Sequence, residues 1–550
     1  MKVYQRLAHA FAAEGVTTIF GMMGHATMHW ADELHKLGVR KLEVRHEGFG
    51  LGMADGWARA THTTAVAHAT CGPGVTQLAT ALVTASRAAS PIVAFVGEGA
   101  TADYENAQYF NQERFAAGCE TGFVRVDSPD TADDAVRKAF YRAKLESRPI
   151  MLSAPMDIQM LPFEDGDPYV PSTNYFAAQR AVSPDPEMLE KAADLIAGSS
   201  KPVIIVGRGA MWSGAGDAVL KLGDRIGALI GTTLRAKNWL SDADYHVGVS
   251  GQYGTRTSMQ LFEEADCVIA VGASMNRYTT SNGYLFPNAR VVHLDPKPHV
   301  MMGGGRGADC YVQSDARAGI EALESMLAKR SVRITGYRTR DVKAKLAHNF
   351  SDRTEFLIEP GTVDPRAACL ALDEMVPPNV SLCTSSGAVA GFTNMHFNRA
   401  RPMVLASHFF GCVGQMLPAA MGAVVASGNK PMLLVDGDAS TMMHLADFDT
   451  AVRYKLPLLV VVLNDEALGA ERHHMHAAQI NADLADVPSP DIGAVATALG
   501  GRGCLARSIE ELSAGAAQWI ADPGPMIIDV RISRNVLPLH IRRLDYARDE

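Results

Sequence analysis

Residues Val435–Ala467 read VDGDASTMMHLADFDTAVRYKLPLLVVVLNDEA, and this stretch decides the fold. The apolar run Met432–Val435 that leads into it reads as a buried strand. The run ends in Asp436-Gly437-Asp438-Ala439. An amphipathic helix follows, and then a purer apolar strand, Pro457–Leu463, which ends in Asn464-Asp465. Strand, helix, strand implies a parallel pair whose carboxyl ends open on one edge, where open α/β sheets bind ligands. Asp438 and Asp465 therefore converge, although 26 residues (439 to 464) separate them. Two hard oxygen ligands beside a glycine and a helix N-terminus suit a Mg²⁺ that carries a phosphorylated ligand. The same pattern also fits two ordinary strand-end turns of a Rossmann-like domain.

The totals bound the setting. A chain of 550 residues holds about three domains at ~150 residues each. It is 47% hydrophobic and 20% charged, enough for each domain to bury a core. A net charge of −9 with no Lys/Arg run gives no reason to expect nucleic acid. The eight cysteines are dispersed without a C-x-x-C pair and read as reduced core thiols of a cytoplasmic protein. No signal-peptide core follows Met1, and no apolar run approaches the ~20 residues of a membrane span.

Strands and helices alternate along the chain, so the expected class is α/β with three doubly wound parallel-sheet domains. The first spans residues 1–170, with strands expected near 17–20, 41–44, 64–69, 92–96, 124–126 and 150–154. Its helix 48–60 is rich in glycine, which implies close backbone packing. Prolines 168, 171, 184 and 186 mark a linker. The second domain spans 186–330 and opens on the strand that ends in Gly207-Arg208-Gly209-Ala210, which is not a full dinucleotide fingerprint. The charged stretch 328–362 reads as a second linker, and the third domain spans 360–540. Domains one and three share a strand-helix rhythm without a residue-level repeat.

Gly437-Asp438-Ala439, 24 residues (440 to 463) and Asn464-Asp465 resemble the diphosphate-binding signature of thiamine-diphosphate enzymes. That signature is Gly-Asp-Gly, roughly 24 to 27 residues, then Asn-Asn. Ala439 stands for the third glycine, and Asp465 for the metal-binding asparagine. A carboxylate still binds Mg²⁺ but adds a negative charge beside a diphosphate. Arg45-His46-Glu47 resembles the family element whose glutamate holds N1′ of the aminopyrimidine; a helix-capping role is the alternative for Glu47. Thr70-Cys71-Gly72-Pro73-Gly74, Thr384-Ser385-Ser386-Gly387 and Gly411–Ala420 match further elements of the family.

The resemblance implies thiamine diphosphate and Mg²⁺ as cofactors. Its cofactor contacts are Glu47, Thr70, Pro73, Thr384, Ser385, Ser386, Val413, Gly437, Asp438, Ala439, Ser440, Asp465 and Ala467. Its metal ligands are Asp438, Asp465 and Ala467. Val413 takes the place of the bulky residue beneath the bent cofactor, though a core residue would be of the same type. Glu47, His25 and Gln112 are the implied catalytic residues. Gln112 sits in Phe110-Asn111-Gln112-Glu113, similar to acetolactate-synthase-like members; a surface amide is its alternative. His408-Phe409-Phe410 is read as substrate lining or core, and His473, His474 and His476 as a solvated or substrate-channel face.

The implied activity is carbon–carbon bond cleavage or formation on a 2-oxo acid or related carbonyl, by an acetolactate-synthase-like carboligase. A 2-oxoacid decarboxylase, a 2-hydroxy ketone or acyl-CoA lyase, and a cofactor-binding regulatory paralogue stay open. So does FAD or another nucleotide in the central domain. The resemblance further implies a homodimer or homotetramer with each site shared between two copies, and neither a nucleic-acid nor a membrane partner.

Overall fold

The structure is a computed structural model that describes residues 1–164, 167–175, 181–298, 306–348, 352, 354–407 and 409–545. It contains three six-stranded parallel sheets. The first comprises β1 (Thr18–Gly21), β2 (Arg40–Glu43), β3 (Ala65–Ala69), β4 (Ile92–Glu98), β5 (Gly122–Arg125) and β6 (Pro149–Pro155). The second comprises β7 (Pro202–Val206), β8 (Leu229–Thr232), β9 (His246–Val249), β10 (Cys267–Val271), β11 (Arg290–Asp295) and β12 (Cys310–Gln313). The third comprises β13 (Ser381–Thr384), β14 (Val404–Ala406), β15 (Met432–Gly437), β16 (Leu458–Asn464), β17 (Arg502–Ala506) and β18 (Met526–Arg531).

The outer sheets share one topology. The first runs β2-β1-β3-β4-β6-β5 and the third runs β14-β13-β15-β16-β18-β17, the same order strand for strand. The rhythm read in the sequence is thus a repeat of architecture. The middle sheet, β9-β8-β7-β10-β11-β12, follows the Rossmann order 3-2-1-4-5-6. Inner strands such as β4, β7, β10 and β16 are buried along nearly their whole length, as sheets covered by helices on both faces require.

The glycine-rich helix Glu47–Thr61 connects β2 to β3, and helix Met416–Ala426 connects β14 to β15, so the two are topological equivalents. They pack against each other almost backbone to backbone. A Cβ on Gly56 would stand 1.9 Å from the Ala419 carbonyl oxygen, and one on Gly422 1.9 Å from that of Met53. This is why a stretch whose composition weakens a helix is kept as one. The contact fuses the first and third sheets through one core that includes Phe49, Met53, Leu417 and Met421.

Two sequence expectations are corrected. The single amphipathic helix after Asp438 is two short helices, Asp438–Met443 and Phe448–Arg453, joined by a 3-10 turn at Leu445–Asp447. The break is held from outside, because the Asp447 carboxylate accepts the Arg45 backbone N–H at 2.7 Å. The second linker contains a helix, Arg340–Ala347, started by Thr339 and anchored by buried Val342. Among the described residues no helix is long and apolar enough to cross a membrane.

Candidate functional site

The third sheet supplies one half of the site. Gly437 pairs with Leu463, so Asp438 comes level with Asn464, and Asp465 lies one residue beyond. Asp438 opens helix Asp438–Met443 and is buried. Burial, and next the charge of Asp465, push its pKa up to about 7. Burial also pushes Asp465 up to about 6, although the Ala467 N–H and the Arg534 and Arg472 guanidiniums pull it down. Two carboxylates that repel one another in a place poor in water call for a cation between them.

The loop that follows Asp465 is pinned by its backbone. The Asp465 carboxylate accepts the Ala467 N–H at 3.2 Å. Leu468 N–H donates to the Ala485 carbonyl and Val487 N–H to that of Glu466, both at 2.8 Å. Among the described residues no backbone N–H claims the Ala467 carbonyl. Asn464, by contrast, turns inward and donates to Asp529 at 2.9 Å. The described residues hold no group of three or more His, Cys, Asp or Glu side chains able to bind a metal. A Mg²⁺ here would rest on two carboxylates, a carbonyl and the ligand's own oxygens, a set suited to that ion.

The anion side is built by neighbouring strand ends. β13 delivers buried Thr384, Ser385 and Ser386, and the Gly387 turn then starts helix Ala388–His396. Ser440 lies 3.4 Å from Ser385, oxygen to oxygen, and accepts the Gly414 N–H at 2.9 Å. A Cβ on Gly437 would stand 3.3 Å from Val389, so the glycine keeps the approach between the two helix starts open. Helix N-termini at adjacent strand ends attract phosphate. Val413 is 40% exposed, so it is not part of this chain's core.

The first sheet supplies the other half. Glu47 opens its helix and is buried, and its carboxylate engages in none of the hydrogen bonds or ion pairs among the described residues. His46, not Glu47, caps the helix, accepting the Gly48 N–H. A Cβ on Gly74 would stand 3.1 Å from the Glu47 carboxylate and 3.0 Å from Thr70, so the Thr70–Gly74 turn lies against Glu47. Pro73 is exposed beside it. Gln112 is buried rather than a surface amide: it donates to the Gly97 carbonyl at 2.8 Å, and its own carbonyl oxygen is buried without a partner. His25 is exposed on the turn after Gly24, which packs on Thr70.

An unpartnered buried carboxylate and an unpartnered buried amide oxygen fit a ring that brings its own polar edge. Together with the repelling Asp438 and Asp465, they make the donor set of this chain fit thiamine diphosphate and Mg²⁺.

Other sequence candidates fall elsewhere. His473 is buried, with its pKa pushed down to about 4 mainly by burial, while exposed His474 pairs with Asp545 at 2.6 Å. His408 lies outside the described residues. Phe409 sits between the guanidiniums of Arg59 and Arg235, 4.6 and 4.3 Å from its ring centre. It borders a cavity of about 570 Å³ at the switch point of the middle sheet, with Arg208, Arg235, Gly272 and Asp295 on its walls. Composition and motif had not marked Arg235 or Asp295; only the topology brings them to Gly207-Arg208-Gly209.

Comparison with known proteins agrees with this architecture. Residues 1–118 match the thiamine pyrophosphate enzyme N-terminal TPP binding domain, 189–323 the central domain of such enzymes, and 385–530 their C-terminal TPP binding domain. The chain belongs to the thiamine-diphosphate-dependent enzymes. It is 29% identical to the acetolactate synthase isozyme 2 large subunit of Escherichia coli (strain K12), over 97% of this chain and 96% of that protein. It is 29% identical to the acetolactate synthase large subunit of Parasynechococcus marenigrum, over 96% and 87%. A probable acetolactate synthase large subunit of Methanocaldococcus jannaschii is 27% identical over 97% and 92%.

Proposed function

We propose that this chain is a thiamine-diphosphate- and Mg²⁺-dependent carboligase that acts on a 2-oxo acid in the manner of an acetolactate synthase. The observation that carries the proposal is the pairing of two half-sites in a chain whose similarity to acetolactate synthase large subunits runs nearly end to end. When bound, the cofactor supplies a nucleophilic thiazolium carbon for attack on a carbonyl and a sink for the electrons left by decarboxylation.

The chain's residues then have separate tasks. Asp438, Asp465 and the Ala467 carbonyl hold Mg²⁺, with Ala439 and Ser440 at the start of the same helix. Thr384, Ser385, Ser386 and Gly437 frame the diphosphate. Val413 would lie against the cofactor with its exposed apolar side chain. Glu47 takes a hydrogen bond from the pyrimidine edge, which its buried and unpartnered carboxylate suits. Thr70 and Pro73 bound that edge, and Gln112 and His25 face the substrate side. Residues 1–170 act as the pyrimidine-binding domain, 186–330 as the central domain and 360–540 as the diphosphate-binding domain.

The reading includes a homodimer, or a tetramer of dimers, in which Glu47 of one copy meets Asp438 and Asp465 of another. Within one chain no hydrogen bond or ion pair among the described residues joins Glu47 to either aspartate. The apolar side chains of Met443, Leu468 and Leu484, near the metal loop, are 57%, 42% and 74% exposed, which supports a covered face there.

The deciding experiment is a donor screen with pyruvate and other 2-oxo acids in the presence of thiamine diphosphate and Mg²⁺. It follows CO₂ and the carbon product together. Acetolactate or a homologous 2-hydroxy-3-oxo acid supports the proposal. Free aldehyde alone would assign a decarboxylase, carbon–carbon cleavage of 2-hydroxy ketones or acyl-CoA thioesters offered in parallel a lyase, and cofactor binding without turnover a regulator. A second observation concerns the middle sheet. The Arg208 and Arg235 wall of its cavity supports a phosphate-bearing FAD- or CoA-type nucleotide at the switch point. A flavin spectrum or released nucleotide from the purified protein tests it.

A further inference from the structure

The metal loop is held by a group that none of the motifs contains. Ala467 forms an isolated antiparallel bridge with Asp486, framed by the Leu468–Ala485 and Val487–Glu466 backbone hydrogen bonds. The Asp486 side chain is gripped from two sides. Arg472, on helix Gly469–Ala477 directly after the metal loop, bonds one carboxylate oxygen, and Arg534, just past β18, bonds the other at 3.0 Å. Arg472 also donates to the Ala482 carbonyl at 3.2 Å and so ties down the start of the strap 482–487. Arg531, at the end of β18, pairs with Glu466 at 2.8 Å. The strap is thus riveted to two elements and in turn carries the backbone of residues 466–468.

We propose that Asp486, clamped by Arg472 and Arg534, is the positioning residue that fixes the Asp465–Ala467 loop in its metal-binding shape. The inference rests on the proposed Mg²⁺ site. It also accounts for the carboxylate at 465. Arg534 lines the same cleft as Asp465, and with Arg472 it places positive charge beside an acid where the family signature has an amide. Outer groups of this kind orient the groups that touch a metal, and their loss costs roughly 10–100-fold in metal affinity.

The test is calorimetric titration of Mg²⁺ into the full-length protein at saturating thiamine diphosphate, paired with turnover as a function of Mg²⁺. Asp486→Asn should weaken Mg²⁺ by about 10-fold or more, and Arg534→Met by less, since it also removes a positive charge beside Asp465. Turnover at saturating Mg²⁺ should return close to the wild-type value, and Asp486→Glu should recover part of the affinity. A merely structural role would lower turnover at every Mg²⁺ concentration without moving the half-saturating one. That result, or unchanged affinity in both variants, overturns the clamp. Arg534→Met leaves the Arg472–Asp486 pair intact, so it stays informative if Asp486→Asn does not fold. Wild-type protein that binds no Mg²⁺ with the cofactor would instead overturn the site itself, a result distinct from a failure of the clamp.

Discussion

The carboxylates of Asp438 and Asp465 stand at the ends of neighbouring parallel strands, and the charge of Asp465 adds to burial in raising the pKa of Asp438 to about 7. Such a pair is costly without a cation and strong with one. The chemistry proposed for this chain starts from that pair and from the unpartnered Glu47.

Asp438→Ala should remove Mg²⁺-dependent cofactor binding, weakening it by more than about 100-fold, since one of two charged ligands is lost. Asp465→Asn should keep Mg²⁺ binding, because the amide oxygen remains a hard ligand. Calorimetry with Mg²⁺ and thiamine diphosphate checks both. Loss of all cofactor affinity in Asp465→Asn would show the ligand set to be misassigned.

The pair also sets a pH dependence. A carboxyl group with a folded-state pKa above its unfolded value stabilises the fold while protonated. For Asp438 that contribution is full below its ordinary 3.8 and is lost as pH rises through about 7. Metal-free protein should therefore melt at lower temperature as pH rises from about 5 to about 7.5, and Asp438→Asn should flatten that slope. Mg²⁺ must displace the protons, so its stabilising effect should grow over the same range. A metal-free melting temperature that rises with pH in wild type and variant alike would contradict this.

The two equivalent helices predict a packing result. Gly56→Val and Gly422→Ala each force an atom to within 1.9 Å of a backbone carbonyl, unless the helices part. Each should destabilise the protein by about 2–3 kcal/mol or more, seen as a lower denaturant midpoint, because overpacked backbone contacts relax poorly. Gly118→Ala, where a Cβ would meet nothing within 4 Å, is the control and should change little.

Site sharing predicts complementation. Glu47→Gln and Asp438→Ala should each be inactive alone. Coexpressed in one cell, they should form mixed oligomers in which one wild-type half-site meets another, with activity restored to a fraction of wild type. Absence of activity in purified mixed oligomers would place both halves of a site in one chain.

Much of this architecture is legible from residues, for reasons that differ by region. The strand pair at β15 and β16 shows because its apolar runs are buried on both faces and end in acids. Glu47 shows through the glycine-rich helix it opens, and the structure explains those glycines by the Met416–Ala426 helix pressed against them. The break at His444 is hidden, since it is set by Asp447 reaching Arg45, 402 residues away. The Asp486 clamp is hidden for the same reason: nothing local in the sequence joins Arg472 and Arg534 to one carboxylate. Arg340–Ala347 was masked by its charges, with one buried valine to mark its inner face. Whether Gln112 was a surface amide stayed open in the sequence, because its burial depends on Gly97 of β4.

The most direct test of the central claim follows exchange of the thiazolium C2 proton of thiamine diphosphate by NMR, on wild-type protein and on Glu47→Gln with Mg²⁺ present. Calorimetry confirms that both are loaded. The account predicts fast exchange on the wild type and a loss of about 100-fold or more in the variant, with the cofactor still bound, as expected for a group that acts in proton transfer. Equal exchange rates on the two loaded proteins would contradict it.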